Sequence, residues 1–227
     1  MAIHLFKTNF MKSNALKLFL FVAVFGLGFA CNNAAEDTDN EGEAMEENMD
    51  DMEGDAETAA EPTEIVSTES YTTMMLKDGI ASPRKEMTGT IGDAEVTVNY
   101  GSPSVKGRTL WGDLVPYGEI WRTGANEATT VTFSEDVMIE GNKLAAGTYG
   151  LFTIPGEDEW TVVFSEVTES WGAGDYDEAK DALRVNVSPM MKDEASETME
   201  FMVDGNNLVL RWDKLHLPVA VSTATAG

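Results

Sequence analysis

Between residues 95 and 221 apolar and polar side chains alternate with a period of two, and turn residues interrupt the alternation at regular spacing. In an extended strand successive side chains point to opposite faces, so this pattern suits sheets with one buried face and not helices of period 3.6. Residues 95–100, 129–133, 148–154, 160–164 and 184–187 are such runs. Pro155-Gly156-Glu157-Asp158 separates two of them with turn chemistry. Asp204-Gly205-Asn206 lies between 199–203 and 207–212 and reads as a hairpin. Leu215, Leu217, Val219 and Val221 make one face of a last strand. Roughly eight to ten short strands predict an all-β protein, an antiparallel β-sandwich of jelly-roll or Greek-key type. One short helix is predicted, with Asp175 and Glu178 as a capping box followed by Ala179, Lys180 and Ala182. Residues 104–126 are not strand-like and are dense in Gly, Trp and Arg.

Charge divides the chain into three parts. Residues 1–31 carry Lys7, Lys12 and Lys17 and no acid; residues 32–70 carry fifteen acids and no base; residues 71–227 carry twenty-five acids and twelve bases. The net charges are +3, −15 and −13 within a total of −25. A field of that sign repels phosphates, so no nucleic-acid partner is expected. The single Cys excludes an intramolecular disulfide and a Cys-cluster zinc site.

The first part reads as a targeting segment. Lys12 and Lys17 precede an apolar run, 18–30, shorter than the ~20 residues that span a bilayer. Met11 would start a more typical signal than Met1. The run ends Leu27-Gly28-Phe29-Ala30-Cys31, which resembles a bacterial lipobox, with Cys31 as the residue that takes the lipid. An ordinary signal peptide and a short uncleaved anchor are the alternatives. Several acyl chains on Cys31 would give stable membrane anchoring where a single chain is marginal. The second part, 32–70, has no aromatic residue and little apolar content, so it is expected to be a disordered tether extended by like charges. Met45, Met49 and Met52 among its acids suit a metal-binding cluster, a helix that folds on a partner or a plain solvated spacer, and the spacer is the favoured reading. Glu36, Asp37 and Asp39 resemble the acidic export tract of surface-displayed lipoproteins of Bacteroidota. That resemblance implies an outer-membrane, cell-surface location, with a periplasm-facing anchor as the alternative. The third part, 71–227, is the folded domain and holds all five Trp and all five Tyr.

Several long motifs in the third part carry a further resemblance. They are Gly101-Ser102-Pro103-Ser104-Val105-Lys106-Gly107-Arg108, Leu110-Trp111-Gly112-Asp113-Leu114-Val115-Pro116-Tyr117-Gly118 and Trp121-Arg122-Thr123-Gly124-Ala125-Asn126-Glu127. Ala146-Gly147-Thr148-Tyr149, Phe152-Thr153-Ile154-Pro155 and Trp171-Gly172 with Tyr176, Asp181 and Arg184 complete the set. Together they resemble the secreted bacterial family of unknown function DUF2911 over about residues 74–221. The resemblance implies no established activity. Before the Pro it leads one to expect Ser-Arg, where this chain has Gly101-Ser102.

The motif residues suggest a chemistry. Trp111, Tyr117, Trp121, Trp171 and Tyr176 offer flat faces, and Arg108, Arg122, Asn126, Glu127, Asp181 and Arg184 offer planar hydrogen-bonding groups. Such a set suits a glycan or another polar small ligand, with rings stacking on C–H faces and polar groups holding hydroxyls. The competing reading is structural: the Trp residues as core, and Arg122 paired with Glu127 or Asp181. Trp160 and Trp212 read as core in either case. A hydrolase would need two carboxylates, for which Glu119, Glu127 and Asp181 are candidates. His216, the one His beyond the targeting segment, alternates with Leu215 and Leu217 and is expected to face solvent. Asp175 with Asp177, and Glu157-Asp158-Glu159, would bind calcium weakly at best. No P-loop, dinucleotide fingerprint or His-rich metal motif is present, so no cofactor is expected. Three readings follow: a tethered ligand-binding sandwich, a structural or protein-interaction module of the envelope, and a carbohydrate-active enzyme.

Overall fold

A computed structural model describes residues 62–223, all within one compact unit, Asp55–Gly227. Twelve strands follow in order: β1 (Thr63–Ser67), β2 (Tyr71–Lys77), β3 (Arg84–Ile91), β4 (Ala94–Gly101), β5 (Thr129–Phe133), β6 (Val137–Ile139), β7 (Asn142–Leu144), β8 (Gly147–Ile154), β9 (Trp160–Ser165), β10 (Asp181–Val187), β11 (Met190–Asp204) and β12 (Asn207–Thr223). They form two antiparallel sheets, one of eight strands in the order β1-β2-β3-β4-β5-β8-β9-β10 and one of four in the order β11-β12-β6-β7. Chain neighbours pair throughout the larger sheet except between β5 and β8. There the β6–β7 hairpin crosses to the smaller sheet, where Val221 of β12 pairs with Ile139. The β-sandwich expected from the alternation is therefore the fold.

The strands interleave a shared core. On β4, Ala94, Val96, Val98 and Tyr100 point inward; on β5, Val131 and Phe133; on β12, Leu208, Leu210 and Trp212, then Leu215, Leu217, Val219 and Val221. Each large apolar side chain so buried contributes about 1.5–3 kcal/mol. Tyr100 of the larger sheet meets Phe201 of the smaller edge-on, with 5.0 Å between ring centroids. The outer face of the larger sheet carries a hydroxyl row, because the register sets Thr72 beside Thr88, Thr97, Thr132 and Thr148 on five adjacent strands. Thr132 and Thr148 bond to one another through their hydroxyls at 2.8 Å, a cross-strand pairing that supports sheets.

The structure departs from the sequence reading in several places, and β2, β6 and β7 are strands that the alternation does not mark. β1 lies within the stretch expected to be tether and pairs with β2, so the sheet begins before residue 71. The predicted helix is one 3-10 turn, Glu178–Lys180; its N-cap is Asp177, which accepts a hydrogen bond from the Ala179 amide, and Ala182 already lies in β10. The two runs read at 207–212 and 215–221 are one strand. Inward positions pass from even to odd numbers across Asp213, which adopts φ 52° where the β11–β12 register shifts. This irregularity reverses which face the following β12 side chains take. β3 was not predicted because its inward positions include Lys85 and Gly89, which break the apolar alternation. Lys85 is buried near Tyr71, Tyr100 and Glu200, and burial lowers its pKa while Glu200 opposes the shift.

Candidate functional site

The eleven motif residues outside the targeting segment do not converge on one site. Trp111 and Trp121 lie in the long connection between β4 and β5 and are mostly buried against Trp160 of β9 and Trp212 of β12. Trp111 is edge-on to Trp160 at 5.0 Å and to Trp212 at 5.7 Å; Trp121 stacks on Trp212 at 6.1 Å with 19° between planes. Two indoles from an irregular segment thus lock onto one indole from each sheet. Arg108 and Tyr117 belong to the same connection and are exposed. Arg108 folds back on its own loop, donating from Nε to the Val105 carbonyl at 3.0 Å and from Nη2 to that of Ser104 at 2.5 Å. Arg122 is half-buried, and burial lowers its pKa. The predicted ion pairs of Arg122 with Glu127 or Asp181 are not formed, because Arg84 lies beside the first carboxylate and Arg184 takes the second.

Tyr176, Asp181 and Arg184 form a network of their own. Asp181, with 7% of its side chain exposed, accepts from the Tyr176 hydroxyl at 2.7 Å and from Arg184 Nε at 2.6 Å. Arg184 Nη2 donates to the Tyr176 hydroxyl and lies 3.6 Å from Glu178. Burial, followed by the Asp181 bond, pushes the Tyr176 phenol up to about 12. The Asp181 bond raises the Arg184 pKa. The Tyr176 ring also packs on Phe152, 5.1 Å away. The trio bonds through Asp181 Oδ2 while Asp181 Oδ1 is buried without a partner, and these bonds fasten the 166–180 connection to β10.

The third group lines a cleft. Asn126, Glu127 and Trp171 surround a space of about 500 Å³ together with Lys77, Ile80, Ala81 and Arg84. The volume falls in the range of small-molecule sites. Its wall is built by three segments laid side by side. Glu127 bridges Trp171 as in an antiparallel pair, the Gly172 amide donates to the Asn126 carbonyl at 3.1 Å, and the Ala128 amide donates to that of Ser170 at 2.8 Å. The Asn126 side chain donates to the Ser82 carbonyl at 3.3 Å. Asn126 is held at φ 64°, a left-handed conformation that Asn tolerates better than most residues. The bend is also allowed by Gly101, where a Cβ would lie 2.1 Å from the Ala125 carbonyl oxygen.

Within the cleft, Arg84 is anchored from behind. Its Nε donates to Asn99 Oδ1 and its Nη2 to the Asn99 carbonyl at 3.3 Å. Its Nη1 is buried without an acceptor, 3.8 Å from Glu127 Oε2. Burial lowers the Arg84 pKa and Glu127 partly offsets it. Trp171 is 71% exposed, the most exposed of the large apolar residues described. Arg84, Lys77, Ile80 and Asn99 were not singled out from the sequence. A usable signal was the polar face of β3, Arg84-x-Glu86-x-Thr88, beside Asn99 on β4.

The remaining candidates lie apart. Leu215 and Leu217 are buried and His216 is partly exposed on the opposite face of β12. Glu119 is exposed and does not line the cleft. Among the described residues no group of three or more His, Cys, Asp or Glu is placed to hold a metal, and no helix is long and apolar enough to cross a membrane. Cys31, the targeting segment and the acidic Met cluster lie outside the described residues.

The model of a family described as a protein of unknown function (DUF2911) matches residues 82–221. No curated protein and no solved structure matches the chain.

Proposed function

Because this chain belongs to the DUF2911 family, whose description assigns no activity, we propose a function from its own residues: a lipid-anchored envelope protein whose sandwich binds a glycan or a similar polar ligand in the Arg84–Asn126–Trp171 cleft. The observation that carries the reading is the exposed indole of Trp171 at the edge of a cleft that also presents a guanidinium, an amide and a carboxylate. Leaving a large aromatic face in water gives up burial energy, and ring faces stack well on the C–H surface of a sugar. In this reading the anchor is Cys31, the tether is the acidic stretch after it, and the resemblance of Glu36, Asp37 and Asp39 to an export tract supports display on the outer membrane, turned to the cell surface.

A second reading, a structural or interaction module, draws support from the other motif residues. The Trp111–Trp121 pair and the Tyr176–Asp181–Arg184 trio are spent on holding the connections in place. A glycan panel read by thermal shift separates the two, since a ligand in excess raises the melting temperature by mass action. The binding reading expects a shift that disappears in Trp171→Ala, and no shift with any glycan supports the structural module. Labelling with palmitate tests the anchor: Cys31→Ala should lose the label and leave the membrane fraction.

A further inference from the structure

Resting on the reading of the cleft as the ligand site, we propose that its ligand carries a carboxylate, as an acidic sugar does, and that this carboxylate takes the position Glu127 holds beside Arg84. The guanidinium is oriented before any ligand arrives. Asn99 holds Nε and Nη2, and the Asn99 amide is itself tied to Glu86 Oε2 at 3.3 Å. The remaining corner, Nη1, has no acceptor. Glu127 stands in the right direction but at 3.8 Å, beyond hydrogen-bonding length. A carboxylate that closed this gap would gain a charge-assisted hydrogen bond that Glu127 does not make.

Glu127 is easily moved. Its side chain is 56% exposed, and ion pairs at that exposure hold weakly. Two cations, Lys77 and Arg84, line the cleft against one anion. The chain from residue 71 onward is net −13 as a whole, so this cleft is a local exception that draws an anion. Trp171 and Ile80 supply apolar surface for the rest of the ligand. Glu127 thus acts as a resident placeholder that keeps Nη1 from facing an empty wall until an incoming acid replaces it.

The test is calorimetric titration of the full chain with methyl glucuronoside and methyl glucoside, which differ by a carboxylate in place of a hydroxymethyl group. The acidic sugar should bind at least about tenfold more tightly. Glu127→Gln should tighten the acidic sugar and widen the preference for it over the neutral one, and Arg84→Gln should abolish the difference between them. Should Arg84→Gln not fold, the exposed Glu127→Gln carries the test. Equal binding of both sugars that is lost in Trp171→Ala, or weaker acidic binding in Glu127→Gln, overturns the carboxylate and leaves the cleft standing. Binding of neither sugar overturns the sugar reading of the cleft and this inference with it.

Discussion

The indole of Trp111 stands edge-on to that of Trp160, with 5.0 Å between ring centroids and 69° between planes. This contact joins an irregular loop to a sheet, and it makes Trp111 part of the core. Trp111→Ala is therefore expected to destabilise the fold by about 3 kcal/mol. Chemical denaturation measures it. An unchanged midpoint would mean that the ring is dispensable to the fold and free for a ligand.

The trio at Tyr176 makes a pH prediction. Its phenol is raised from 10.0 to about 12, by burial first and then by the bond to Asp181. The folded state holds this proton more tightly than the unfolded chain does. The associated stability is complete below 10 and is lost as pH rises from 10 to 12. Tyr71, Tyr100 and Tyr149 are also raised, so absorbance titration of phenolate should show several late-ionising tyrosines, of which Tyr176→Phe removes one and Asp181→Asn makes one ionise earlier.

His216 gives the opposite slope. Burial lowers its pKa from 6.5, and the charges of Arg211 and Lys192 lower it further, against Glu194 and Asp204. Protonation is thus easier in the unfolded chain. Its contribution is present above 6.5 and is lost as pH falls through the lower folded value. Melting temperatures taken across this range should flatten in His216→Gln; an identical pH profile in the variant would remove His216 as the cause.

Gly101 offers a structural test of the cleft. A Cβ there would stand 2.1 Å from the Ala125 carbonyl oxygen, and backbone rather than a flexible side chain would have to yield. Gly101→Ala is expected to cost about 1–3 kcal/mol as an overpacked contact. Because the displaced loop carries Asn126 and Glu127, ligand binding at the cleft should weaken together with stability. Urea denaturation and titration of the same preparation read both effects.

Much of the strand framework was legible in the alternation. Residues 129–133 form β5 with the predicted bounds, 155–158 falls between β8 and β9, and Gly205-Asn206 joins β11 to β12. The reading failed where one residue broke the pattern. Asp213 reverses the phase and made one long strand look like two. Lys85, placed on the inner face of β3, hid the strand that also carries Arg84.

The site was less legible than the fold. Trp111 and Trp171 are the same residue type and both belong to the motif set, yet one is packed among three indoles and the other is open to water. Residue type records what a side chain is able to do. Its surroundings depend on segments far apart in the chain, such as Asn126 and Ser82, which are 44 positions apart and joined by a hydrogen bond.

The all-β sandwich was readable because period two and local turn chemistry are properties of adjacent residues, and the family was readable from the long motifs between 101 and 184. Which arginine faces a cleft is set by contacts between distant segments. Arg84 acquires its role from Asn99 across the strand pair and from Glu127 in a distant loop, and those meetings exist only once the sheet has set its register.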